Sequence, residues 1–121
     1  MKDLRLSVEE KSIYRVDLSC FFEAAYEVAK KIQEHISEYT AVFIIPGDWL
    51  AIECMRYWRQ QGIKIPEELS VMGFDNIYMG EIIEPPLTTI HQPKYEMGIH
   101  AIQLLESMLN GEGIEKKNSV Y

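Results

Sequence analysis

The stretch Leu-Ser-Val-Met-Gly-Phe-Asp at residues 69–75 constrains this chain more than any other. A short apolar run bounded by turn residues reads as a strand buried in a sheet. It closes on Gly73-Phe74-Asp75, so it delivers a carboxylate at its carboxyl end. That end is where ligands gather in open α/β sheets. A second run, Pro-Leu-Thr-Thr-Ile-His-Gln-Pro, occupies residues 86–93. Its start is set by Pro85-Pro86 and its end by Pro93, because proline fixes its own φ and restricts the residue before it.

The rest of the chain supplies alternating partners for these two strands. Phe21, Phe22, Ala25, Val28, Ala29, Ile32 and Ile36 recur at three- and four-residue spacing, with Glu27, Lys30, Lys31 and Glu34 between them. This predicts a helix capped by Ser19 and running to about Glu38. Residues 40–45 form a continuous apolar run, the pattern of a strand covered on both faces. Pro46-Gly47-Asp48 then turns the chain into a second helix, with Asp48 as its N-cap and Gly62 as its stop. Leu50, Ile52, Met55 and Trp58 are the apolar positions of that helix, and Trp58 is expected in the core. An irregular stretch at residues 76–84 precedes the second strand, and residues 94–109 read as a third helix ended by Asn110-Gly111. Residues 12–16 add a further strand candidate, and the closing Ser119-Val120-Tyr121 could begin another. Strand and helix alternate throughout, which predicts an α/β fold: a parallel sheet of about four strands flanked by helices.

With 121 residues, the chain is one domain or a piece of one. Its net charge of −7, from 19 acidic and 12 basic residues, argues against nucleic-acid binding. Such binding needs a basic stripe, and the closest basic groupings here, Lys30-Lys31 and Lys116-Lys117, are isolated pairs. Cys20 and Cys54 have no metal-ligand or redox spacing and read as reduced core residues of a cytoplasmic protein. No run of about 18 apolar residues predicts a membrane span, and no signal-peptide pattern follows Met1.

Two acids, Asp48 and Asp75, each follow a strand directly. In a parallel sheet both emerge at the carboxyl edge, where carboxylates suit hydrogen bonding to vicinal hydroxyls. Asp48 has a competing role as a helix cap; Asp75 has no helix beginning immediately after it. A phosphoacceptor domain also carries acids at strand ends, but it needs a lysine directly after a later strand. Here that strand ends Ile-His-Gln-Pro, and Lys94 comes after the proline. His35, His91 and His100 lack ligand spacing, and no glycine-rich phosphate loop or nucleophile elbow is present. No enzyme, metal or cofactor is expected. Trp49 and Tyr78 are candidates for stacking on a sugar ring. The apolar residues of the irregular stretch, with Ile52 and Met55, make a candidate subunit contact.

Taken together, residues 40–43, Gly47-Asp48 followed by Ala51, Gly62-Ile63-Lys64-Ile65-Pro66, residues 69–76, residues 86–93 and Gly98 closely resemble the effector-binding region of LacI/GalR-type bacterial transcription regulators. The similarity runs from about Asp17 to Gly111. It implies a periplasmic-binding-protein-like fold (type I), here partial: two α/β subdomains holding a small effector in the cleft between them. Residues 1–16 would be a lead-in with a first strand, residues 17–92 the carboxyl-terminal subdomain, and residues 93–121 an incomplete part of the other.

Residue by residue, the resemblance implies that Asp75 hydrogen-bonds effector hydroxyls and that Asp48 is an acid beside the site. Gly47 stands where the family usually has an asparagine that contacts the ligand. Leu18 stands where many members have an aromatic residue against it, and Glu23 replaces a usual glycine. Gln92, at the crossing near residues 89–92, is a further site candidate. Ile52 and Ile83 match positions that contact the partner subunit in family dimers, with Met55 beside them. The implied protein is a homodimer that binds a sugar-like small molecule and reaches DNA only through a domain outside this chain. A sugar-binding component of a transport system would share the architecture.

Overall fold

Each strand and helix expected between residues 19 and 111 has a counterpart in the computed structural model, which describes residues 9–111. The chain divides into two units, Met1–His91 and Gln92–Tyr121. In the first, three parallel strands form a sheet in the order β1 (Ala41–Phe43), β2 (Ser70–Asp75) and β3 (Thr88–His91). Val42 pairs with Val71, Gly73 with Thr89 and Asp75 with His91. Helix α1 (Phe21–Gln33) packs on α2 (Asp48–Gln60), and α2 packs on β2. A single turn, α3 (Met79–Ile82), interrupts the irregular stretch before β3.

The core lies where the two helices meet the sheet: Val28, Ala29 and Ile32 from α1, Leu50, Cys54 and Trp58 from α2, with Leu69, Val71 and Leu87. Trp58 is fully buried, as its place in the helical pattern predicts, and its indole N–H donates to the Ala29 carbonyl at 2.9 Å. Burying such a ring is worth roughly 4–6 kcal/mol by area, so this one side chain fixes much of the α1–α2 contact.

Several expectations need correction. The apolar run at residues 40–45 is covered on one face only. Val42 and Ile44 turn toward the core residues of α1 and α2, while Phe43 and Ile45 are 44% and 64% exposed. The strand candidate at residues 12–16 joins no ladder among the described residues: Ser12 closes a 3-10 turn and the residues after it find no strand partner, so the described sheet has three strands, not four. Tyr14 and Val16 still pack on the core, and together with β1 they line a cavity of about 240 Å³. Helix α1 ends at Gln33, and Ile36–Glu38 tightens into a separate 3-10 turn. Ser19 does not cap α1. Instead Asp17 caps the 3-10 turn Leu18–Cys20 by accepting from the Ser19 N–H at 2.9 Å. Cys20 is exposed rather than core; Cys54 is buried, and burial pushes its thiol up to about 12. The lead-in before residue 9 and the expected strand at residues 119–121 lie outside the described residues.

The second unit is built on α4 (Lys94–Leu109), with Asn110 at its C-cap. No residue of α4 is buried, and Tyr95, Ile102, Leu105 and Leu109 are more than half exposed.

Candidate functional site

The carboxyl ends of β1 and β2 bring Gly47, Asp48 and Asp75 together. Asp75 closes the central strand of the sheet, and its backbone has a φ of +127°; Asn76 follows at +54°. Asparagine visits that region readily, but an aspartate at +127° is strained and persists only where its surroundings hold it. Gly47 lies directly beneath the Asp75 carboxylate. A Cβ added there would stand 2.8 Å from Asp75 Oδ2, and Gly47 itself has a φ of +131°. Glycine at this position therefore lets the β1–α2 turn come up against the acid.

Asp48 departs from its expected role. The N-cap of α2 is Gly47, and the Asp48 side chain makes no hydrogen bond to its own helix. It is fully buried and reaches across the sheet. Its Oδ1 accepts from the Thr89 hydroxyl at 2.6 Å, and its Oδ2 accepts from the Ile77 backbone N–H at 2.9 Å. The reason is the missing side chain at Gly73, where a Cβ would fall 2.2 Å from Asp48 Oδ1. Glycine inside a strand often marks a close approach of this kind, so the signal was present at residue 73. Thr89 gave no such signal; β3's register beside Gly73 brings it to the carboxylate.

Asn76 completes the cluster. Its N–H donates to Thr89 Oγ1 at 3.2 Å, and its side-chain amide lies 3.0 Å from His91 Nδ1. The strand ends thus present the Asp75 carboxylate and the His91 imidazole on adjacent strands in register. Such an edge offers hydrogen-bond acceptors for hydroxyl groups. Among the described residues no group of three or more His, Cys, Asp and Glu side chains could hold a metal.

Leu18 is 45% exposed on the 3-10 turn before α1, and Gln92 opens the second unit. Trp49 and Tyr78 are exposed at 53% and 75%. Ile52, Met55 and Ile83 line one groove with Arg56, Arg59, Gln60 and Glu84. Met55 forms its floor, being almost wholly buried, whereas Ile52 and Ile83 are partly exposed.

Residues 6–120 match the periplasmic binding protein-like domain family. The chain belongs to that family. Its periplasmic-binding-protein-like fold is shared with bacterial repressors and LacI-family regulators, so the resemblance drawn from the sequence holds. The chain is 38% identical over 117 residues to the HTH-type transcriptional repressor PurR of Vibrio parahaemolyticus, covering 97% of itself and 34% of the relative. It is 37% identical over 109 residues to the repressor CytR of Escherichia coli, covering 90% of itself and 31% of the relative. A LacI family transcriptional regulator from Enterococcus faecium, solved with bound ribose, superimposes with a TM-score of 0.64 at 36% identity, over 74% of this chain and 32% of that one. This periplasmic binding protein-like chain thus spans about a third of the length of its curated relatives.

Proposed function

We propose that this chain senses a small polyhydroxylated effector for a LacI-type transcription regulator, with Asp75 as the principal ligand residue. One observation carries the reading: the Asp75 carboxylate closes the central parallel strand, set over a glycine at the carboxyl edge of the sheet. Each carboxylate oxygen can accept two hydrogen bonds, which suits neighbouring hydroxyls of a sugar. Gly47 brings backbone rather than side chain up to the acid, Asp48 braces the turn that carries it, and Leu18 is an outer contact. The ribose bound to the E. faecium relative supports a ligand of this class.

Effector binding changes DNA affinity only through its different affinity for two states of the whole regulator. DNA contact belongs to another domain, since these residues carry a net charge of −7. A homodimer would form through the groove lined by Ile52 and Ile83. Among the described residues no helix is long and apolar enough to cross a membrane; a regulator of transcription works in the cytoplasm.

Calorimetric titration of the full chain with D-ribose, cellobiose and lactose tests the reading. We expect one of these to bind, and Asp75→Asn to weaken that binding by tenfold or more without lowering the melting temperature. An unchanged dissociation constant in Asp75→Asn would remove Asp75 from the site.

A further inference from the structure

The Asp75 backbone conformation has to be held by something, and the structure offers one device. The two peptide N–H groups that follow Asp75 are both taken by a relay that ends on the buried Asp48 carboxylate. The Asn76 N–H donates to Thr89 Oγ1, and the Ile77 N–H donates to Asp48 Oδ2. Thr89 in turn donates its own hydroxyl proton to Asp48 Oδ1. The direction of this relay is fixed. Asp48 Oδ1 takes the single Thr89 proton, so Thr89 Oγ1 faces Asn76 as an acceptor. The strained residue is therefore followed by two N–H groups anchored on a carboxylate that is itself fully buried.

We propose that Thr89 and Asp48 are positioning residues that hold Asp75 in its left-handed backbone conformation and so aim its carboxylate from the strand end. Neither needs to touch a ligand. Thr89 lies in β3, two residues before the strand ends at His91, so the relay ties the Asp75 turn to the strand beside it. A valine at residue 89 would match threonine in shape while removing both the donor and the acceptor. Serine would retain them. The consequence for affinity rests on Asp75 being the ligand acid; the consequence for backbone strain does not.

Thermal melting of the full chain tests the relay without any ligand. Thr89→Val is expected to lower the melting temperature by about 5 °C, on the order of one strong hydrogen bond for a chain of this size. Thr89→Ser should recover most of that. The decisive comparison places Thr89→Val in two further backgrounds. With Asp75→Ala, which keeps a Cβ and hence the strain, the fall should persist. With Asp75→Gly, where a φ of +127° carries no penalty, it should be larger, because loss of the relay lets the strained backgrounds relax and recover that strain while glycine has none to recover. Equal falls in all three backgrounds, or no recovery with serine, would overturn the proposal. If Thr89→Val prevents folding, the same three-background comparison with Asp48→Asn, which weakens the relay without emptying it, decides by the same criterion: a larger fall with Asp75→Gly supports the relay and equal falls overturn it. A chain that shows this coupling yet binds no sugar would refute the effector reading and leave the relay standing.

Discussion

Replacing Gly73 by alanine adds one methyl group in the centre of the sheet, and its consequence can be worked from distances. The new Cβ would lie 2.2 Å from Asp48 Oδ1 and 3.1 Å from Leu87 Cδ2. An ordinary contact begins at 3.4 Å, so the carboxylate must retreat by about 1.2 Å, the difference of 3.4 and 2.2. Its hydrogen bonds, at 2.6 and 2.9 Å, are stretched or broken by a shift of that size. Each bond to a carboxylate is worth about 1.5–3 kcal/mol. Overpacking adds about 1–3 kcal/mol, partly the same energy counted again. Gly73→Ala is therefore expected to cost about 3–5 kcal/mol, against a total of roughly 6–18 kcal/mol for 121 residues.

Urea unfolding followed by circular dichroism reads this directly. With a slope of about 2 kcal/mol per molar, the midpoint should fall by about 1.5–2.5 M. Adding Asp48→Ala to Gly73→Ala vacates the space, so the double variant should be less destabilised than the sum of its parts. A midpoint within about 0.5 M of the parent, or strictly additive costs, would mean that Gly73 is not reserved for the Asp48 carboxylate.

Further expectations follow from the core, the thiols and the groove. Trp58→Ala should cost about 3–5 kcal/mol in the same urea assay, whereas Trp58→Phe, which retains most of the ring but leaves the Ala29 carbonyl without its donor, should cost less. A thiol reagent at pH 8 should label Cys20 alone in the folded chain and reach Cys54 only after unfolding, since Cys54 is wholly buried.

Both Cys54 and Tyr14 have folded values raised to about 12, the first mainly by burial and the second mainly by its hydrogen bond with Tyr39. The unfolded chain sheds those protons earlier, near 9 and 10. The stability these groups contribute is complete below about pH 9 and is lost as pH rises toward 12, which melts recorded from pH 7 to 11 would show as a progressive fall. Ile52→Glu should shift sedimentation toward the monomer if the groove is the dimer contact, and an unchanged distribution would place the contact elsewhere.

The sequence by itself determined what depends on local pattern. The apolar runs at 40–45, 69–75 and 87–91, the helical spacing from Phe21 to Ile32 and from Leu50 to Trp58, and the stops at Gly62 and Asn110 located the main elements, because side-chain periodicity and backbone preference act within a few residues. Asp75 was legible as a candidate for the same reason: it ends a strand with no helix to cap. What only the tertiary structure decided involved residues far apart in sequence. Asp48 reads locally as a helix cap, and it serves instead as a buried acceptor for Thr89 and Ile77, 41 and 29 residues away. That exchange depends on strand register and on one absent Cβ at Gly73, neither of which acts along the chain. The same holds for residues 12–16, which read as a strand while their backbone finds no ladder among the described residues. A strand requires a neighbour, and the presence of a neighbour is a property of the fold rather than of the segment.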